Sequence, residues 1–305
     1  MEPIIFAGTP QNAAFTLREL VAGGQAVALV VTRLDAPIGR KRVMTQSPVA
    51  EVAEQLGIPT LKTNLITTAD EEVIAKSGAR LALVVAFGSF LKQSTIDRLE
   101  LGWFNLHYSV LPRWRGASPV QSAILAGDRS TGVTLFKIDQ GLDTGDVVGV
   151  VETLIEEGEN AGRLLARLSA LGVTLAQQEL PGLLAGFKKS APQVGEPTFA
   201  PKFDRAAAKV TAQDTAAVAL AKVRAFNPEP TAWVELESGP LRVLEASPSG
   251  HKTDSGVINE FDKGILLGLA DSKSIELLMV QPAGKNPMPA ADWFRGSKQT
   301  DRRIL

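Results

Sequence analysis

The chain has 305 residues, with 32 Lys plus Arg against 33 Asp plus Glu and a net charge of −1. A composition of 45% hydrophobic and 21% charged residues excludes a disordered chain, and the near-zero charge leaves no global argument for nucleic-acid binding, although a local basic patch is still compatible with it. Cysteine is absent and histidine is limited to His107 and His251, so disulfides, a thiol nucleophile and a zinc site built on several histidines are excluded, and any imidazole chemistry must use one of these two residues.

The length suggests about two domains. The start, Met-Glu-Pro-Ile-Ile-Phe-Ala-Gly, has no basic region ahead of an apolar one, and the apolar runs at 27–31 and 81–87 are far shorter than the about 20 residues of a spanning helix. A cytoplasmic protein without membrane contact is expected. Residues 4–7 read as a strand ended by Gly8-Thr9-Pro10, residues 14–21 as an amphipathic helix closed by Gly23-Gly24, and residues 26–31 as a second strand. Ser47-Pro48 joins a capping side chain to a proline in the first turn and predicts a helix that ends at Gly57. Residues 81–87 form a continuous apolar run, as in a strand covered on both faces, and 103–106 and 133–138 look like two more strands. This β-α-β rhythm predicts an α/β fold, a Rossmann-like doubly wound and mostly parallel sheet.

Residues 160–184 read as a long helical region interrupted late by Pro181-Gly182. Pro192, Gly195, Pro197 and Pro201 then fall close together, which is linker composition. A helix at 214–225 stops at Asn227-Pro228. Short strand-like runs follow at 232–236, 241–245, 256–259, 265–269 and 275–280, suggesting a small OB-like β-barrel. The expected division is a domain over 1–189, a linker over 190–208 and a β domain over 209–305.

The densest chemistry lies in Asn105-Leu106-His107-Tyr108-Ser109-Val110-Leu111-Pro112-Arg113-Trp114-Arg115-Gly116. Asn105 and His107, at i and i+2 on an extended segment, point to one side. They stand at a strand end, where open α/β sheets hold ligands. An amide and an imidazole aimed at one point can stabilise a developing oxyanion. The alternative is that Asn105 satisfies a turn and His107 is a packed or surface residue. Asp139-Gln140-Gly141-Leu142-Asp143-Thr144-Gly145-Asp146 follows another strand. A carboxylate here can orient an imidazole or handle a proton, and the competing readings are a plain Asp-rich turn or a cation loop, whose spacing does not match the EF-hand pattern. Residues 33–42 set Arg33, Arg40, Lys41 and Arg42 against Asp35, a loop able to grip phosphates or simply a solvated one. Arg113 and Arg115 flank Trp114, a second cationic surface with an aromatic. Gly8-Thr9-Pro10 lacks the dinucleotide and Walker spacings, so neither a nucleotide cofactor nor a metal is assigned.

Taken together, these motifs resemble the methionyl-tRNA formyltransferase family. Residues 105–121, Thr131-Gly132-Val133-Thr134 through Asp146, Phe6-Ala7-Gly8-Thr9-Pro10, Arg224-Ala225-Phe226-Asn227-Pro228 and Gln281-Pro282-Ala283-Gly284-Lys285 carry the resemblance, over almost the whole chain. Asn-x-His with a later Asp is shared by a wider group of 10-formyltetrahydrofolate enzymes, so sugar-nucleotide N-formyltransferases and formyltetrahydrofolate hydrolases are the alternatives, and a tRNA-binding module with a relic site is the non-enzymatic one. The resemblance implies formyl transfer from 10-formyltetrahydrofolate, as co-substrate, to the α-amine of methionine on initiator Met-tRNA, by direct amine attack through a tetrahedral intermediate. It implies Asn105, His107 and Asp143 as the catalytic trio, Ser109, Val110, Leu111 and Pro112 as the folate-contacting stretch, Arg40, Lys41 and Arg42 near the tRNA, and a β domain that adds tRNA surface. The chain is expected to act as a monomer. Tyr108 stands where the family commonly has Gly, Val110 where it has Leu, and Thr211-Ala212 where Asp-Trp is frequent. Tyr108 either reshapes the folate pocket or points away from it.

Overall fold

The computed structural model describes residues 1–39 and 41–305. In chain order the strands and helices begin β1 (Ile4–Gly8), α1 (Gln11–Ala22), β2 (Val27–Thr32), β3 (Ala36–Ile38), β4 (Val43–Thr45), α2 (Pro48–Gln55), β5 (Thr60–Lys62), α3 (Thr68–Lys76), β6 (Leu81–Val85), α4 (Gln93–Ile96), β7 (Gly102–His107) and β8 (Arg115–Gly116). They continue with α5 (Pro119–Leu125), β9 (Ser130–Lys137), β10 (Val147–Leu154), α6 (Ala161–Leu184), β11 (Phe199–Ala200), α7 (Ala216–Ala225), β12 (Trp233–Leu236), β13 (Gly239–Ser249), β14 (Ile258–Phe261), β15 (Gly264–Gly268), β16 (Ser274–Pro282), β17 (Met288–Pro289) and α8 (Ala290–Gly296). They form two compact units: Met1–Gly116, Ser130–Thr153 and Leu165–Phe199 make one, and Ala117–Arg129, Leu154–Leu164 and Ala200–Leu305 the other.

The first unit is built on a seven-stranded sheet in the order β10-β9-β7-β6-β1-β2-β5. The pairs β1–β2, β1–β6, β2–β5 and β6–β7 are parallel, and β7–β9 is antiparallel. Strands β1 and β6 are buried at every position, which is why both read as unbroken apolar runs. After β2 and β5 are added on one side of β1, the chain returns to build β6 and β7 on the other. The carboxyl ends of β1 and β6 therefore flank the switch in strand order, where such sheets open a crevice. Thr9 Oγ1 donates to the Phe87 carbonyl at 3.0 Å and ties together the loops that leave these two strands. One sheet face packs Ile5, Ala7, Leu29, Val31, Ala82, Val84 and Trp103 into a single cluster; the fully buried Trp103 donates its indole N–H to the Thr95 carbonyl at 3.1 Å.

The second unit carries an antiparallel sheet in the order β12-β13-β16-β15-β14, with β17 on β16. Alternating residues of these strands, among them Val234, Val243, Ile265, Leu267 and Leu277, share one core with Val223 of α7 and with Trp293 and Phe294 of α8. Register shifts between Val243 and Glu245 and between Glu245 and Ala246 break the ladder of the long strand β13, the local device by which a strand bends. This is the small antiparallel β domain that the strand runs predict.

The elements the sequence did not reveal have physical explanations. Strands β3 and β4 are exposed at every position except the half-buried Thr45 and so carry no apolar alternation. Helix α3 has only Glu71 and Ile74 buried and is held by a capping box between Thr67 and Asp70. The expected interruption at Pro181 does not occur, and α6 runs on to Leu184. Pro181 and Gln177, one turn before it, both lie on the exposed side, where water can meet the carbonyl that the missing N–H leaves unpaired.

Helix α2 shows the local code at work. Ser47 Oγ accepts from Ala50 N at 3.0 Å and lies 2.6 Å from Thr32 Oγ1, both hydroxyls being buried. Ser47→Ala removes the cap and strands the Thr32 hydroxyl. Unfolding by urea should show a loss of about 1–2 kcal/mol with an unchanged m-value.

Candidate active site

Strand β7 delivers Asn105 and His107 to the carboxyl edge of the sheet, two residues apart on one side. His107 is paired with the buried Thr134 of β9 in register, and its ring meets Phe136 edge-on at 6.4 Å. Asn105 is half-buried, and its side-chain amide has no hydrogen-bond partner among the described residues. A polar group in that position remains available to a ligand.

His107 is 5% exposed. Its Nε2 lies 2.8 Å from the Trp114 carbonyl oxygen, and its Nδ1 lies 3.6 Å from Asp143 Oδ2. A carbonyl can only accept, so the bond to Trp114 puts the ring hydrogen on Nε2 and leaves a lone pair on Nδ1. That lone pair faces a carboxylate oxygen beyond hydrogen-bond reach, and a proton that arrives between the two is shared by them. Burial lowers the pKa of His107 and outweighs the opposing effects of Asp143 and of the Trp114 carbonyl, so the resting imidazole is neutral.

Two strained turns hold this geometry. Trp114 has φ 62° and Asp143 φ 52°, both in the left-handed region that non-glycine residues seldom enter. Thr198 Oγ1 accepts from Trp114 N at 2.9 Å, fixing the turn whose carbonyl meets His107. Asp143 Oδ2 accepts from Gly116 N at 2.8 Å. Gln193 Nε2 donates to the carbonyls of Asp143 at 2.8 Å and Gly145 at 2.9 Å, while its Oε1 accepts from Arg115 Nη2 at 2.7 Å. Gly145 lies so close to β9 that a Cβ there would stand 1.7 Å from the Lys137 carbonyl oxygen; glycine is required for the Asp143 loop to close on the strand. Gln193 and Thr198 were not singled out in the sequence. They fall in the Pro- and Gly-rich stretch, where a lone Gln or Thr carries no signal.

The other expected site residues are placed as follows. Ser109 is fully buried and donates Oγ–H to the Arg113 carbonyl at 2.6 Å, while Thr134 Oγ1 donates to the Ser109 carbonyl and accepts from Leu111 N. Ser109 Oγ is thus committed within the loop. Leu111 and Pro112 are buried, and Val110 is half-buried. Lys41 and Arg42 are exposed on the turn of the β3–β4 hairpin, and Arg40 lies outside the described residues. The Arg113 guanidinium stands 4.5 Å from the centre of the Trp114 ring. Tyr108, one residue on from His107, is buried, and its hydroxyl accepts from Asn12 Nδ2 at 3.1 Å. It points at α1 and not at the His107–Asp143 pair. Among the described residues no group of three or more His, Cys, Asp or Glu is arranged to hold a metal, and no helix is long and apolar enough to cross a membrane.

A buried neutral histidine has a folded pKa below its unfolded value of about 6.5. Its stabilising contribution is complete above that pH and is lost as pH falls toward the folded pKa, by up to about 1.4 kcal/mol per pH unit. Wild type and His107→Asn unfolded in urea between about pH 7.5 and 5.5 should therefore diverge, with the wild type losing more stability on acidification.

The formyl transferase family matches residues 2–179 and its C-terminal domain matches residues 202–298. A methionyl-tRNA formyltransferase of Clavibacter sepedonicus is 43% identical over 300 residues, covering 98% of each chain. One of Renibacterium salmoninarum is 40% identical over 304 residues, covering 99% of each chain. Among solved structures, an N-formyltransferase of Helicobacter canadensis superposes with a TM-score of 0.65 at 17% identity, covering 91% of this chain and 99% of that one. At that identity the likeness shows the fold alone. Full-length agreement with these relatives at and above 40% identity establishes that the chain belongs to the methionyl-tRNA formyltransferase family.

Proposed function

We propose that this chain transfers the formyl group of 10-formyltetrahydrofolate to the α-amine of methionine on initiator Met-tRNA, with Asn105, His107 and Asp143 as its catalytic residues. The observation that carries the assignment of roles is the neutral His107 with its Nδ1 lone pair facing Asp143, beside an Asn105 amide that has no hydrogen-bond partner among the described residues. The folate supplies a formyl carbon bound to nitrogen. Asn105 donates to the formyl oxygen as negative charge develops there during attack by the amine, the use for which a preorganised amide is most valuable. His107 and Asp143 take up the proton that the amine loses. The ring accepts it at Nδ1 while Nε2 stays anchored on Trp114, and the carboxylate stabilises the cation that results. The same pair returns a proton to the leaving folate nitrogen. His107 has its Nε2 hydrogen engaged by Trp114, so the oxygen-binding role falls on Asn105 rather than on both residues.

Ser109, Val110, Leu111 and Pro112 form the rigid loop proposed to contact the folate. Arg40, and Lys41 and Arg42 on the exposed hairpin turn, are proposed to contact tRNA phosphates, with the β domain over 209–305 adding surface to a monomeric enzyme in the cytoplasm. Charge-driven binding of this kind depends steeply on salt, whereas the folate, held by a loop without these cations, has no such dependence.

The test is transfer of labelled formyl from 10-formyltetrahydrofolate to initiator Met-tRNA, beside elongator Met-tRNA and uncharged tRNA. Transfer selective for the initiator is the expected result. Formate release without transfer would make the protein a hydrolase, and no consumption of the folate would remove the reading. Asn105→Ala should lower kcat about a hundredfold, and Asp143→Asn should abolish turnover in a folded protein. Lys41→Ala and Arg42→Ala should each reduce the slope of log tRNA affinity against log salt by about one unit, and unchanged slopes would take the hairpin out of the tRNA interface.

A further inference from the structure

We infer that Tyr108 is a positioning residue for the reaction, a buried phenol that clasps the strand end carrying His107 to two helices. This rests on the proposed role of His107. Tyr108 is the chain's single tyrosine.

Tyr108 Oη accepts from Asn12 Nδ2 of α1 at 3.1 Å, and the hydroxyls of Thr16 in α1 and Ser169 in α6 lie beside it. Thr16 donates its own hydrogen to the Asn12 carbonyl at 2.9 Å, and Ser169 donates its hydrogen to the Leu165 carbonyl at 2.6 Å. Both hydroxyl oxygens are therefore left as acceptors, and the single phenol hydrogen can go to either of them. Thr16 is 0% and Ser169 2% exposed. In surroundings so dry, an unmade bond is costly, and a fully satisfied network selects one arrangement.

The clasp sits where a small displacement matters. β7 ends at His107, and Tyr108 is the next residue, so its anchor sets the direction in which the backbone leaves the strand. Ser109, fixed in turn by Thr134 and Arg113, completes the hold. Asn12 lies in the first turn of α1, three residues after Thr9, whose hydroxyl binds the Phe87 carbonyl. Tyr108 thereby joins the β1–α1 turn, the catalytic strand and α6 at the sheet edge used for the chemistry. Its side chain points away from His107 along the alternation of an extended segment, so its effect on the imidazole passes through the backbone.

Tyr108→Phe keeps the ring and removes the hydroxyl. The expected result is a folded enzyme whose kcat falls about tenfold, with KM for the folate and for Met-tRNA within about twofold of wild type, the signature of misplacement rather than lost binding. His107 gives a readout independent of activity. Asp143 is the charged group set against its ring, and looser packing admits water, so the NMR titration midpoint of His107 should rise toward the ordinary imidazole value. Asn12→Ala should reproduce both effects, and the double variant should be no worse than either single one. It also carries the test if Tyr108→Phe fails to fold. Unchanged kcat and an unchanged His107 midpoint, with lowered stability alone, would overturn the inference and leave Tyr108 a packing residue. Absence of formyl transfer by the wild type would instead defeat the proposed function, and the His107 titration would still decide whether Tyr108 acts on the imidazole.

Discussion

The bond between His107 Nε2 and the Trp114 carbonyl, 2.8 Å long and made by a buried ring, is the constraint around which the rest of the site is arranged. It decides which nitrogen carries the hydrogen and so what the other nitrogen can do. For that carbonyl to reach the ring, Trp114 must turn into the left-handed region, and Thr198 holds it there. For Asp143 to face the opposite nitrogen, its loop must turn the same way and press against β9, which Gly145 alone permits. Gln193 bonds to the backbone of that loop and to Arg115. Strain at two residues is thus fixed by hydrogen bonds from one later segment, a common arrangement where geometry serves chemistry.

The electrostatics follow from the same enclosure. An imidazole in water is partly charged near neutrality and exchanges between its tautomers. Here burial lowers its pKa, while Asp143 and the Trp114 carbonyl pull the other way. A neutral ring beside a carboxylate is poised to gain a proton and to have the resulting charge stabilised at once. Asn105 stands apart from this pair, two residues back on the strand, and its amide has no hydrogen-bond partner among the described residues. The proposed mechanism divides the chemistry between one group for charge on oxygen and two for the proton.

Much of the fold was legible in the residues. The buried strands β1 and β6 announce themselves as apolar runs, Ser47-Pro48 marks the start of α2, and the change from helical to short strand patterns after α7 marks the β domain. Elements without a buried stripe were not legible: the exposed β3–β4 hairpin, and α3, which a capping box holds at its start. Pro181 misled in the opposite direction, because its position on the solvent side of a late turn made it harmless.

At the site, the sequence by itself determined the cast. With two histidines and no cysteine, and with Asn105 and His107 two apart at the end of a strand, it named the groups that could act and the Asp-rich turn that could join them. Only the tertiary structure decided how they are paired. That His107 spends one nitrogen on Trp114, that Asp143 faces the other, that Ser109 is committed within its own loop, and that Tyr108 turns away to Asn12, Thr16 and Ser169 are all consequences of contacts between segments far apart in the chain. Local spacing sets which side of a strand a residue faces, because the backbone period is short and fixed. It cannot set which distant carbonyl or carboxylate arrives there, because that depends on how the loops close around the packed core.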